Sequence, residues 1–394
     1  MTAFGLTAAQ QEFAARVRTL AAEELRPLAD AGQPGRVNRD LLRAMGRLGL
    51  LARLFPGAAA GQPSREAPAM DLCLLRESLA TQCTEAETAL ALQGLGSYPV
   101  LQSGPEEQVR RWLPAVAAGD AVAAFALSEQ GAGSDAAALE LAAEPDGDGW
   151  RLTGTKTWIS NAPEADFYTV FARTTPGAGA RGVSAFCVPA GRPGLSGEHL
   201  DMVSPHPIGT LTFDGVPVRH DELLGEADRG FVVAMRTLDL FRPSVGAFAV
   251  GMAQAALDAA CSYAAGRTAF GGPLAGQQAV AHLLAEMATR TEAARLLVYA
   301  AAAALDSGTA GVTGTAEATR LAGVTGVAGR SAMAKLFATE TAQFVVDAAV
   351  QIHGARALQR GHLLEHLYRE VRAPRIYEGA SEIQRTIIAR QLFK

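Results

Sequence analysis

The sequence predicts an α+β, mainly α, protein: an N-terminal helical domain over residues 1–120, a central small β-sheet or barrel domain over 121–227, and a C-terminal helical bundle over 228–394. Three observations carry this. Apolar residues recur at helical spacing through the first 120 residues. Short segments rich in β-branched and aromatic residues follow, cut by glycine-rich turns. Long helical runs then return to the C-terminus.

The first helix opens with Thr7 and Gln10 at capping-box spacing in "TAAQQEFAARVRTL". Further helical runs are broken at "GQPGRVN", "GAAAGQPS" and "SGP". From Ala121 the segments "AVAAFALSEQ", "ALELAAE", "GWRLTG", "TKTWIS", "DFYTVFART", "GVSAFCVPA" and "GTLTFDGVPV" read as the strands of a small antiparallel sheet or barrel. Long helices resume from about Asp228. The Ala/Gly/Thr-rich stretch at 307–332 reads as a loop leading into a further helix.

Bulk properties narrow the function. A chain of 394 residues with 49% apolar content suits a soluble globular protein of two or three domains, and a net charge of -5 without a Lys/Arg block argues against a nucleic-acid partner. Cys73, Cys83, Cys187 and Cys261 are scattered without CxxC spacing, which argues against a disulfide framework and a thiolate zinc site and fits a reducing cytoplasm. The N-terminus lacks the layout of a signal peptide, and no uninterrupted apolar stretch reads as long enough to span a bilayer, so no membrane insertion is expected.

Several short motifs are ambiguous alone. "GAGSDA" (131–136) matches a dinucleotide fingerprint but follows Ser128, Glu129 and Gln130 rather than an apolar strand end, which argues against a nicotinamide site. "LSEQGAGSD" reads better as a strand ending in a glycine turn, where backbone N–H groups and the Ser128 and Ser134 hydroxyls can reach a flat polar ligand. "HLLEH" formally sets His362 and His366 beside Glu365 in a zinc pattern, but no third ligand stands out downstream and two ordinary helix-surface histidines explain it better. In "TKTWISN", alternation puts Trp158 and Ser160 on one strand face, suited either to core packing or to a ring cofactor.

The C-terminal "RIYEGASEIQRTIIAR" is more informative. Pro374 stops one helix, and Ser381 with Gln384 reads as a capping box that starts another, with Ile383, Ile387 and Ile388 inward. Glu378 then lies in the intervening loop beside Gly379, which can aim its carboxylate. Local reading leaves Glu378 as either a turn residue or a proton acceptor.

"FALSEQGAGSD" and "RIYEGASEIQRTIIAR", with "GTKTWISNAPEADFYTVFAR", "LLGEADRGFVVAMRTLD" and "GRTAFGGPLAGQQAV" in the same order, resemble the acyl-CoA dehydrogenase family over nearly the whole chain. The resemblance implies a C-terminal four-helix bundle, FAD as cofactor, an acyl-CoA substrate, an electron-transferring flavoprotein as partner and a homo-oligomer, usually a tetramer. It places Phe125, Leu127, Ser128, Gly133, Trp158 and Ser160 at the flavin. Arg267, Phe270 and Gln278 fall where a partner subunit's cofactor is reached, and Gln351 and Glu382 at further FAD contacts. Ser134, Arg242 and Tyr377 fall on the acyl-thioester side, and Glu378 at the general base. The rival position for that base, ahead of Arg242, is Phe241.

The implied activity is flavin-dependent α,β-dehydrogenation to a 2,3-enoyl-CoA. An acyl-CoA oxidase, a dehydrogenase of carrier-bound acyl groups, or a non-catalytic flavin- or CoA-binding assembly protein are the alternatives. Ala355, Arg356 and Ala357 depart from a glycine-rich family stretch at the adenine end, where Arg356 can meet a phosphate or carboxylate instead. The segment "LFPGAAAGQ" also departs from the family's usual turn. The lack of a basic residue between Arg76 and Arg110 argues against recognition of a second substrate carboxylate.

Overall fold

The computed structural model describes residues 5–57, 67–307 and 326–393. The expected "GAAAGQPS" break lies largely outside the described residues, as does most of the 307–332 loop. The helices are α1 (Ala8–Leu20), α2 (Arg26–Asp30), α3 (Arg39–Arg47), α4 (Ala69–Gln82), α5 (Thr84–Ser103), α6 (Glu106–Ala118), α7 (Gly230–Gly266), α8 (Gln278–Asp306), α9 (Val327–His353), α10 (Leu363–Glu370) and α11 (Ser381–Leu392). The order is an N-terminal helical domain, a middle sheet domain and a C-terminal helical domain.

Contacts gather the chain into two compact units. The first comprises Met1–Glu23, Ala69–Glu87 and Asp239–Lys394, the second Glu24–Pro68 and Thr88–Leu238.

In the first unit, α1 begins at the expected capping box: Gln10 N donates to Thr7 Oγ1 at 3.3 Å, and Thr7 N donates to Gln10 Oε1 at 2.9 Å. Along α8, Met287, Thr291, Ala294, Val298 and Ala301 are buried at alternating spacings of four and three, so one stripe faces the core. Small residues let the helices approach closely. A Cβ on Gly246 of α7 would lie 2.7 Å from Val298 Cγ2, and one on Gly251 would lie 2.5 Å from Glu77 O of α4. Helix α7 contains an 18-residue window apolar enough for a membrane span, contrary to the reading of the bare sequence, but 72% of that window is buried inside the protein. It is therefore a core helix.

The second unit is built on a seven-stranded sheet of β1 (Ala123–Ala126), β2 (Ala142–Asp146), β3 (Gly149–Ser160), β4 (Phe167–Arg173), β5 (Val183–Pro189), β6 (Leu195–His199) and β7 (Ile208–Arg219). Strand order is β1-β4-β2-β3-β7-β6, with β5 paired to β4. The sheet is mixed rather than antiparallel throughout, because β1 pairs parallel with β4 from Ala123↔Phe167 to Ala126↔Val170. A parallel pairing needs a long crossover, and the chain from 127 to 166, which holds β2 and β3, supplies it. Helix α5 lies tightly on β1. A Cβ on Gly96 would meet Ala124 N at 2.6 Å, and Gln93 spans the start of the strand by donating to Ala121 O at 2.6 Å and accepting from Ala123 N at 2.8 Å.

Candidate active site

The loop between α10 and α11 leaves the helical path sharply. After a short 3-10 turn at Ala373–Arg375, Tyr377 N still donates to Ala373 O at 3.1 Å, and then Glu378 and Gly379 take φ of 50° and 89°. A left-handed glycine is ordinary, whereas a left-handed glutamate is uncommon. The turn is held by its neighbours. Lys335 Nζ, from α9, donates to Tyr377 O at 2.9 Å and to Gly379 O at 2.6 Å. Gln384 Nε2, from α11, donates to Gly379 O at 2.8 Å and to Glu378 O at 3.3 Å.

The expected capping box at Ser381 does not form. The N-cap is Ala380, and the Ser381 hydroxyl donates to Glu340 Oε1 at 2.7 Å while Gln384 turns back to the Glu378 loop. A tertiary acceptor and the carbonyls of the turn outcompete the local cap. Glu340 also pairs with Arg375 at 2.8 Å, which latches the loop to α9 a second time. Ile383, Ile387 and Ile388 are half-buried rather than core residues.

Glu378 is half-buried as a residue, but its Oε2 is shielded from solvent and has no hydrogen-bond partner among the described residues. Burial pushes its carboxyl above the ordinary range, opposed by the nearby charges of Arg76, Lys335 and Arg242. Arg76 of α4 is itself buried. It is ion-paired with Glu87 of α5, donates to Ser244 Oγ at 2.7 Å, and lies 5.8 Å from the ring centroid of Phe248. Arg242 of α7 is 6% exposed and paired with Asp239, while its Nε has no partner among the described residues. Phe241 is 2% exposed, so the position beside Arg242 offers no carboxylate. Tyr377 stands next to Glu378 on the same loop.

In the second unit, the end of β1 is strapped to β3. Thr157 N donates to Ser128 O at 3.1 Å and Asn161 Nδ2 to Ala123 O at 2.8 Å. Lys156 Nζ donates to Leu127 O at 2.9 Å and pairs with Glu129 at 2.7 Å. Glu129 in turn accepts from Glu140 N and Leu141 N. This strapping brings Ser128 to the strand that carries Trp158 and Ser160. A register shift falls between Lys156 and Ile159, so Lys156 and Thr157 are both buried and simple alternation fails there. Trp158 emerges with φ 57° and its side chain 46% exposed, an open aromatic face beside Ser160.

Phe125 is half-buried and Leu127 is buried, while Gly133 and Ser134 are exposed after the tight Glu129–Ala132 turn. A side chain added at Gly133 would meet nothing within 4 Å among the described residues. A three-residue 3-10 turn and β2 follow, so "GAGSDA" lacks the crossover helix of a dinucleotide fold. An exposed indole with hydroxyl and backbone donors fits a flat polar ring. In the first unit Arg267, Phe270, Gln278, Gln351 and Glu382 are all exposed, with Phe270 94% exposed at φ 51°.

The two histidines of "HLLEH" do separate work. His362 caps α10 by accepting from Leu364 N at 3.1 Å, His366 Nε2 meets Thr84 Oγ1 at 2.6 Å, and Glu365 pairs with Arg369. No cluster of three metal-ligating side chains occurs among the described residues. Arg356 borders an open groove of about 610 Å³ with Tyr263, His353 and His362.

Sequence reading missed Lys335, Gln384, Arg76 and Glu87 as the surroundings of Glu378. One signal was present: Ser331, Lys335, Ala338, Ala342, Val345 and Ala349 form the buried stripe of α9, and a lysine in such a stripe requires acceptors.

The family descriptions "Acyl-CoA dehydrogenase, N-terminal domain", "middle domain" and "C-terminal domain" match residues 7–120, 124–216 and 228–393. The short-chain specific acyl-CoA dehydrogenase of Bos taurus mitochondria is 37% identical over 382 residues, covering 96% of this chain and 88% of that protein. Butyryl-CoA dehydrogenase from Megasphaera elsdenii superposes with a TM-score of 0.89 at 30% identity, over 99% of this chain and 100% of the other. The FAD complex of PigA gives 0.89 at 26% identity, over 99% of each chain. With three family domains in register across the same chain that presents a buried carboxylate on one unit and an open aromatic face on the other, this protein belongs to the acyl-CoA dehydrogenase family of FAD-dependent oxidoreductases.

Proposed function

We propose that the chain converts an acyl-CoA thioester to its 2,3-enoyl-CoA, with Glu378 removing the α-proton. The observation that carries this reading is the shielded Oε2 of Glu378, unpartnered among the described residues, held in a left-handed turn and raised in pKa by burial. A base works best when its pKa approaches the working pH, and desolvation moves a carboxylate that way.

In the proposed reaction the α C–H electrons form the new double bond as the proton goes to Glu378, and the β-hydrogen leaves with its electron pair. FAD, when bound, supplies the two-electron acceptor that side chains lack. Phe125, Leu127, Ser128, Gly133, Trp158 and Ser160 are assigned to hold it. Arg267, Phe270 and Gln278 are assigned to cofactor held by a second copy of the chain, and Gln351 and Glu382 to further FAD contacts. Ser134, Arg242 and Tyr377 are assigned to the thioester side. An aliphatic α-proton is too weakly acidic for a carboxylate alone, so donors to the thioester oxygen must stabilise the developing enolate, at about 3 to 4 kcal/mol each. Three cations face Glu378 and favour its ionised form before substrate arrives. The proposed assembly is a homotetramer in the cytoplasm that hands electrons to an electron-transferring flavoprotein.

The test is anaerobic titration of the purified yellow protein with short, long, branched and cyclic acyl-CoAs. Bleaching of the flavin by at least one of them supports the reading. Failure of all of them, or purification without flavin, overturns it.

A further inference from the structure

Helix α9 places Lys335 on a stripe whose other members, among them Ser331, Ala338, Ala342 and Val345, are buried and small or apolar. Its side chain is fully buried. An ammonium there must find acceptors. It donates to two main-chain carbonyls, Tyr377 O at 2.9 Å and Gly379 O at 2.6 Å, which flank Glu378. Glu378 has φ 50°, a conformation that costs an L-residue about 1 to 2 kcal/mol and persists only where the surroundings impose it. Gln384 grips the same turn from α11, and a Cβ on Gly379 would lie 2.6 Å from its Nε2.

We infer that Lys335 is a positioning residue for the reaction: by binding the carbonyls on either side of Glu378, its ammonium holds the base in the left-handed turn that aims the carboxylate. The inference rests on Glu378 being the base.

Lys335 acts on Glu378 through charge as well. The cations facing Glu378 are Arg76 from α4, Arg242 from α7 and Lys335 from α9, and Glu87 of α5 is paired with Arg76. The groups facing Lys335 are Glu378, Arg242, Glu340 and Glu382, and burial lowers its ammonium to about 8. Removing the ammonium takes away one of three influences that favour ionised Glu378. The base must then titrate at higher pH.

The experiment compares Lys335→Met, Lys335→Arg and Glu378→Gln as flavin-loaded proteins. Anaerobic flavin reduction by an acyl-CoA gives kcat, KM and their pH profiles, and amide hydrogen exchange reports residues 376–380. For Lys335→Met the expected results are kcat lower by about 10- to 100-fold at nearly unchanged KM, an acid limb moved to higher pH, and faster exchange at Tyr377 to Gly379. Lys335→Arg, which keeps donors and charge, should recover part of kcat and return the limb toward wild type. A Lys335→Met protein with wild-type kcat and acid limb overturns the inference while leaving the base intact. Reduction of Glu378→Gln at the wild-type rate overturns the base reading itself. Should Lys335→Met fail to fold, Lys335→Gln, which keeps a donor and loses the charge, takes its place, and a wild-type acid limb in that variant overturns the inference equally.

Discussion

Arg76 and Glu87 form an ion pair that is closed off from solvent, at 2% and 1% side-chain exposure, and Arg76 is the first of the cations that pull down the pKa of Glu378. Glu87 therefore tempers the influence of Arg76 on Glu378. Breaking a buried pair from one side costs about 3 to 5 kcal/mol, whereas replacing both partners by apolar residues is often near neutral. Glu87→Gln and Arg76→Met should each melt well below wild type, and Arg76→Met with Glu87→Leu should recover much of the loss. The acid limb of kcat/KM should move down in Glu87→Gln, where Arg76 loses its carboxylate partner, and up in Arg76→Met. Thermal melts and pH profiles of the three variants check this, and shifts in the same direction would contradict it.

Trp158 is nearly half-exposed and carries little of the core, so Trp158→Ala should leave the melting temperature of the flavin-free protein unchanged. If its ring stacks on FAD, the variant loses about 0.5 to 1.5 kcal/mol of binding, or about 2- to 12-fold in the flavin dissociation constant. Fluorescence titration of the flavin-free protein with FAD measures this directly.

Much of this arrangement was legible in the sequence. Helical periodicity and turn residues marked the helices and strands, Thr7 and Gln10 formed their capping box, and "YEG" placed Glu378 in a loop between two helices. What escaped was non-local. Ser381 binds Glu340, 41 residues upstream, instead of capping its own helix. The parallel pairing of β1 with β4 depends on partners more than 40 residues apart. The Lys335 clamp joins α9 to a loop 42 residues later, and no local pattern encodes where a buried ammonium will find its carbonyls. Alternation along β3 failed at Lys156 and Thr157, both buried where the register with β7 shifts.

The raised pKa of Glu378 also affects stability. Between the ordinary carboxylate value of 4.5 and its raised value, the folded state binds this proton more tightly than the unfolded state, so stability falls as pH rises through that window. Glu378→Gln is neutral throughout and should melt above wild type at pH 7 to 8, with the difference closing below pH 4.5. Calorimetry across pH checks this. A lower melting temperature for the variant at pH 8 would mean that attraction to Arg76, Lys335 and Arg242 outweighs burial.

The most direct test of Glu378 as the base is stopped-flow anaerobic reduction of the bound flavin by an acyl-CoA that bleaches the wild-type protein. Glu378→Gln should retain its flavin spectrum and slow bleaching by at least about 10²- to 10⁴-fold, the usual worth of a general base. Bleaching of Glu378→Gln at the wild-type rate would contradict the assignment.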